Sequence, residues 1–223
     1  MTIFRIIDTE TCGFEGGIVE IASVDATAND AIENPMSDYV KPDRPITFGA
    51  MAIHHITEEM VADKPEITAV VGRYQGAEYF VAHNAQFDRG VLPEMGGAWL
   101  CTYKMAARLW PELESHSNQF LRYALGLEPW VPEHLHAHRA LYDCYVTAAL
   151  FNRIVSESGW TPEEMLEISN QPILLRTCKI GKYRGKSFEE ISVADPGWLR
   201  WVLTTDMDEN IKYTARYWLN GGK

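Results

Sequence analysis

The sequence predicts an α/β fold, a mixed sheet flanked by helices, followed by a small C-terminal α+β segment. Three observations lead there. Three strand-like runs succeed one another near the start, helical and strand-like stretches then alternate, and the charge balance changes sign near residue 175. Short links join antiparallel neighbours and helical crossovers join parallel ones, so this order requires both kinds of pairing in one sheet.

The first strand is predicted over 3–7, "IFRII", and runs into Asp8 and Glu10. The second and third are predicted over 18–24, "IVEIASV", and 37–41, "SDYVK". A loose helix follows over 58–73, with Thr57 as its cap and Glu58 and Glu59 in its first turn. A fourth strand, "YFVA", covers 79–82. Helices come next, the last a long one ending near Val155 whose apolar face runs Leu141, Cys144, Ala148, Phe151, Val155. "TPEEMLEISN" then predicts a short helix: Thr161 is the N-cap, Pro162 the first helical residue, and Glu164 closes a capping box, with a stop near Asn170 and Pro172. Beyond it, "LLRTCKIGKYRGKSFEEI" predicts a strand, a Gly-Lys turn and a helix from Ser187, and "DPGWLRWVL" a helix opening at Asp195 and Pro196. The expected domains are 1–158, a helical linker over 159–175, and a small basic domain over 176–223.

Apolar residues make up 46% and charged ones 23% of the 223, the composition of an ordinary globular protein. The formal net charge of -11 argues against coating nucleic acid by general attraction, but not against meeting phosphates through divalent cations. The charge is uneven: residues 176–223 hold nine Lys or Arg against six Asp or Glu, net +3, and residues 1–175 hold eleven against twenty-five, net -14. Cys12, Cys101, Cys144 and Cys178 are scattered without a C-x-x-C pair, so free thiols are expected rather than a disulfide framework or zinc finger. No apolar stretch is long enough to cross a bilayer, and the first residues lack the order of a secretion signal, so a cytoplasmic location without membrane contact is expected.

Within the first strand Asp8 and Glu10 point to the same face, roughly 6 to 7 Å apart at their backbones. Two acids at this spacing are more often a solvated face than a site. Two further clusters change the balance. "YFVAHNAQFDRGV" puts Asp88 just past an apolar strand end, with Asn84 and Phe87 nearby, and "HLHAHRALYDCYV" puts His138 and Asp143 at the start of the long helix. Five residues of helix turn through about 500°, so His138 is expected on the preceding loop or first turn. A zinc site in the H-x-H-x-H run of His134, His136 and His138 lacks nearby cysteine ligands.

"DTETCG", "HNAQFD" and "HRALYD" together resemble the three motifs of the DEDD superfamily of 3'-to-5' exonucleases, whose fold is ribonuclease H-like. The four acids match as Asp8, Glu10, Asp88 and Asp143. His138, five residues before Asp143, resembles the histidine subgroup; the tyrosine subgroup would need Tyr at 139, which is Arg, and Tyr142 is one residue from Asp143. The resemblance covers residues 3–155, and "IGKYRGKSFEEI" and "DPGWLRW" are similar to the tail of a bacterial exodeoxyribonuclease branch. Cys12 departs from the pattern, where many relatives carry Thr. The resemblance implies two Mg2+ ions, with Mn2+ able to substitute, held by the four acids, and His138 as general base. It also implies substrate contacts from Thr9, Thr11, Gly13, Ile53, His54 and Asn84.

The chemistry agrees with that expectation. Phosphodiester hydrolysis develops charge on the attacking and leaving oxygens, and two hard cations roughly 3.5 to 4 Å apart stabilise both. An imidazole titrates near neutrality and suits proton removal from water. Phe14, on a glycine-bounded loop after the acid strand, either stacks on a base or wedges a duplex end, or else folds back onto the core. Phe87 beside Asp88 is a second stacking candidate. Lys182, Arg184 and Lys186 around Tyr183 suit a phosphate backbone, whereas Trp198 and Trp201 read as core. The expected function is a metal-dependent 3'-to-5' exodeoxyribonuclease acting on DNA 3' ends, with no protein partner readable. Alternatives are a 3'-to-5' exoribonuclease trimming RNA ends and an inactive nucleic-acid-binding module; the complete acid set argues against the second.

Overall fold

The computed structural model describes residues 2–26 and 32–222. Apolar side chains on both faces of the central strands make a sheet buried on both sides. β1 (Phe4–Thr11), β2 (Ile18–Ala26), β3 (Ile32–Tyr39), β4 (Tyr79–Ala82) and β5 (Ala98–Cys101) form it in the order β3-β2-β1-β4-β5. The pairs β1–β2 and β2–β3 are antiparallel, and β1–β4 and β4–β5 are parallel. The mixed sheet predicted from element order is therefore present. The β1–β2 register shifts between Glu10 and Thr11, an irregularity that falls at the second strand acid.

The helices are α1 (Phe48–His54), α2 (Glu58–Val61), α3 (Ile67–Val70), α4 (Gln86–Val91), α5 (Thr102–Leu109), α6 (Asn118–Ala124), α7 (Ala140–Ser158), α8 (Pro162–Asn170), α9 (Phe188–Ala194), α10 (Pro196–Leu203) and α11 (Glu209–Leu219). None among the described residues is long and apolar enough to cross a membrane. The chain forms two units, 1–105 with 115–169, and 106–114 with 170–223.

In the first unit α7 packs on β1 and β2. Its Cys144 lies beneath the sheet centre, the thiol donating to the Ala22 carbonyl at 3.4 Å. Ile7, Ile21, Tyr74, Phe80 and Trp99 share one buried cluster, with Phe80 stacked on Trp99 at 5.3 Å. The helix expected over 58–73 is instead α2, α3 and a 3-10 turn, Val71–Tyr74. Pro65 explains the break, since it lacks an N–H and pushes Lys64 out of the helical region. The third strand begins five residues earlier than expected and ends at Tyr39, because pairing with β2 overrides the turn-like "ENP". Element α1 and strand β5 were not foreseen from the sequence. The capping box before α8 is present: the Glu164 carboxylate accepts from Thr161 N–H at 2.8 Å.

The second unit is built on Cys178, Phe188, Ile191, Leu199, Val202 and Ala215. Ser187 and Glu190 form the capping box of α9, and Asp195 caps α10 ahead of Pro196. The strand expected here narrows to a single bridge between Thr177 and Ser187, followed by a 3-10 turn, Gly181–Tyr183. An additional helix, α11, is capped by Asp208.

Candidate active site

Alternation along β1 aims Asp8 and Glu10 to one side of the sheet. The α7 N-terminus brings Asp143 to them: one carboxylate oxygen from each of Asp8, Glu10 and Asp143 lies within 4.8 Å of the others. Asp88 comes from α4 and is bound to the same strand. The parallel pairing of β1 with β4 ends at Ile6. Beyond it, Thr9 N–H and the Thr9 hydroxyl donate to Asp88 Oδ1 at 3.1 and 2.9 Å. The structure thus gathers the four acids expected from the motifs.

Burial raises the proton affinity of all four carboxylates, and neighbouring acids add to it at Asp8, Glu10 and Asp143. Burial pushes Asp8 well above the usual carboxylate range, with Asp88, Asp143 and Glu10 adding repulsion. Burial, then Asp143 and Glu20, raise Glu10 to about 8. Asp88 rises to about 7 through burial, against the pull of its Thr9 hydrogen bonds. Asp143 is also raised by burial, offset by its donors. Those donors are Gln119 Nε2 on Oδ1 and His138 N–H on Oδ2, each at 3.0 Å.

His138 precedes α7 on a turn, is exposed, and has φ +64. Its backbone is thereby bent back so that the amide meets Asp143. Phe14 is 102% exposed, so it stands clear of the core instead of folding onto it. Cys12 N–H donating to Gly17 O at 2.7 Å closes the loop that carries it. Gly16 and Gly17, at φ +87 and +78, supply left-handed backbone there. Phe87 is half-buried; Asn84, at φ +70, and Ile53 are exposed.

In the first unit, four of the expected substrate residues use their side chains or backbone internally. The Thr11 hydroxyl donates to the Gly13 carbonyl at 2.9 Å, and Thr9 holds Asp88. His54 is buried; its Nδ1 accepts from Ile56 N–H at 3.0 Å, which leaves Nε2 as the N–H that meets the Thr11 carbonyl at 3.2 Å. His54 therefore ties α1 to the end of β1. In the second unit, Lys182 pairs with Asp195 at 3.0 Å, Arg184 Nε donates to the Lys179 carbonyl, and Lys186 is exposed.

Three contributors escaped the sequence reading: Glu20, Gln119 and Arg139. Glu20 lies opposite Glu10 across β1–β2 and is 1% exposed. It accepts from Arg139 Nη2 at 2.7 Å and Nε at 3.0 Å, and from Ala140 N–H at 3.0 Å, so it caps α7 and fixes the helix that presents Asp143. The Arg139 guanidinium also lies over the Tyr39 ring at 5.1 Å. A lone acid inside the apolar run "IVEIAS" was the available signal.

Residues 6–151 match the RNase_T family, described as exonuclease. Exodeoxyribonuclease 10 of Escherichia coli (strain K12) is 53% identical over 219 residues, covering 97% of this chain and 99% of that relative. The solved structure of Exonuclease X in complex with 5' overhanging duplex DNA is similar with a TM-score of 0.73 at 59% identity, covering 75% of this chain and 99% of that one. The nuclease domain of 3'hExo, a DEDDh family member bound to rAMP, shares the fold at 16% identity, with a TM-score of 0.56 over 70% of this chain and 92% of that one.

Proposed function

We propose that this chain, which belongs to the RNase_T exonuclease family, is a metal-dependent 3'-to-5' exodeoxyribonuclease releasing 5'-mononucleotides from DNA 3' ends. The observation that carries the reading is the meeting of Asp8, Glu10 and Asp143 oxygens within 4.8 Å, with Asp88 bound to the same strand. All four acids have raised proton affinity. Such a set of hard oxygen donors suits divalent cations, and removes its own repulsion by holding them. Asp8, Glu10, Asp88 and Asp143 would hold two Mg2+ ions, with Mn2+ as substitute. When bound, these ions stabilise charge on the attacking and leaving oxygens.

The remaining roles belong to the chain's own groups. His138, on an exposed turn, takes the proton of the attacking water, while its amide and Gln119 hold Asp143 in one orientation. Phe14 stacks against or wedges the terminal base pair, Phe87 and Ile53 flank the terminal nucleotide, and Asn84 donates to it. Gly13, Thr9, Thr11 and His54 hold the end of β1 behind the terminal nucleotide. Lys182, Arg184 and Lys186 meet phosphates away from the reacting end, with Lys182 giving part of its charge to Asp195. We assign 1–158 as the nuclease domain, 159–175 as linker and 176–223 as the basic domain, in a cytoplasmic protein with four free thiols.

DNA as substrate is supported by the 53% identity to a protein named exodeoxyribonuclease and the 59% identity to one solved with duplex DNA. A digestion series tests the proposal, using 3'-labelled and 5'-labelled single-stranded DNA, duplex DNA and RNA, each with Mg2+ or EDTA. The expected result is Mg2+-dependent loss of mononucleotides from DNA 3' ends. Faster cleavage of RNA, or cleavage from 5' ends, would overturn it.

A further inference from the structure

The second unit carries chemistry that phosphate contacts alone leave unexplained. Its turn between Cys178 and Ser187 is closed by Gly185 N–H on the Cys178 carbonyl at 2.8 Å and Lys186 N–H on the Tyr183 carbonyl at 3.0 Å. Lys179, Arg184 and Lys186 extend from that turn and are exposed. Lys182 is different: its ammonium sits 4.8 Å from the Tyr183 ring centre and meets Asp195, which also accepts from the Tyr183 hydroxyl at 2.8 Å. Lys182 and Tyr183 thereby pin the turn to the start of α10.

From that pinned point a row of aromatic rings crosses α10. Tyr183 meets Trp198 edge-on at 5.1 Å, and Trp198 lies 6.3 Å from Trp201. Trp198 packs against the core of the unit. Trp201, at the end of the row, is 51% exposed, against the expectation that both indoles are core. Arg200 beside it is exposed as well.

We propose that this strip binds single-stranded nucleic acid, with Trp201 as the platform on which one base stacks and Lys179, Arg184, Lys186 and Arg200 as its phosphate contacts. The partner follows from the chemistry. An exposed indole at the end of an aromatic row that starts from a cation-bearing turn offers a π-face and positive charge together, which is the pairing that holds unpaired strands without sequence preference. A duplex buries every base face except those at its ends, so along a strand only unpaired bases can reach Trp201. Charge complementarity points the same way, since the net +3 of residues 176–223 contrasts with -14 over 1–175. The proposal rests on the nuclease reading for its substrate and refines it, moving Lys182 from phosphate contact to support of the turn.

The test uses the full chain in Ca2+, with fluorescent (dT)20, (dT)3 and a blunt 20-base-pair duplex as probes over a salt series. Trp201→Ala should weaken (dT)20 binding about 5- to 150-fold, the contribution of one stacked base, and Trp201→Phe should recover most of it. Lys179→Ala with Arg184→Ala should lower the salt slope by about 0.7 per lost contact. The Lys179/Arg184 pair lies on an exposed turn, and an unchanged salt slope there would overturn the strip should Trp201→Ala fail to fold. Unchanged (dT)20 affinity in a folded Trp201→Ala, or an equal loss on the duplex, would overturn the strip. Cleavage of (dT)3 by the wild-type chain in Mg2+ reports separately on the nuclease reading, because that substrate is too short to require the strip.

Discussion

Replacing Arg139 by Met would leave the Glu20 carboxylate charged inside the protein with its main partner gone. The Glu20 side chain is 2% and the Arg139 side chain 18% exposed, and two guanidinium N–H groups reach the two carboxylate oxygens. Removing one member of a buried pair costs about 3–5 kcal/mol. Glu20 keeps the Ala140 amide at 3.0 Å and the Ser37 hydroxyl at 3.2 Å, and Arg139 is partly wet, so the expected loss falls to or below the bottom of that range, about 2–3 kcal/mol. For a chain of this size that lowers Tm by about 5–10 °C. Turnover should fall as well, since the α7 N-terminus that presents Asp143 loses its anchor. The assay is urea unfolding of four proteins: wild type, Arg139→Met, Glu20→Gln and the double variant. In the double variant the unpaired charge is gone, so it should be more stable than Arg139→Met by more than about 1 kcal/mol. If Arg139→Met unfolds within about 0.5 kcal/mol of wild type, or the second substitution restores nothing, the pair does not anchor α7 in the way described.

Three other outcomes follow from the acid cluster and its neighbour. Asp8→Asn should abolish DNA cleavage while raising the metal-free Tm, because it removes a buried acid whose ionised form is opposed by burial and by its acidic neighbours; retained cleavage at the wild-type rate would contradict this. His138→Ala should lower kcat about 100-fold or more with little change in KM, and activity should partly return at high pH as hydroxide becomes available; a raised KM with intact kcat would make it a binding residue. Metal-free stability should decline with pH, as measured by urea midpoints from pH 5 to 9. The folded-state values of Glu10 and Asp88 are raised to about 8 and about 7 from 4.5 and 3.8. Their contribution is therefore full below about pH 4 and lost as pH rises through 7 and 8, and a divalent ion should flatten the decline. A metal-free midpoint that rises with pH would refute it.

The parts of this molecule set by local pattern were legible in the sequence. Period-two alternation put Asp8 and Glu10 on one face, and the five-residue spacing kept His138 off the helix that carries Asp143, as its turn conformation bears out. The capping residues Ser187 and Asp195 marked their helices correctly. What was missed depends on distant pairing. Glu20 and Arg139 are 119 residues apart, and nothing local says that one charge in an apolar strand will meet the other. Strand β5 is four residues long and buried, a run too short for periodicity to separate strand from helix. The break at Pro65 was readable and was overridden by the apolar pattern around it. Whether Phe14 and Trp201 face water could be decided only by the tertiary fold.

The central claim is that four carboxylates on β1, α4 and α7 form one site for divalent cations. Titration of the metal-free chain with Mn2+, followed by electron paramagnetic resonance in the presence of a 5'-mononucleotide, measures that directly and needs no catalysis. The prediction is two Mn2+ per wild-type chain, displaced competitively by Mg2+, with binding weakened by Asp8→Asn and accompanied by proton release at pH 7, since Glu10 is raised to about 8. No Mn2+ binding, or binding indifferent to Asp8→Asn, would contradict it.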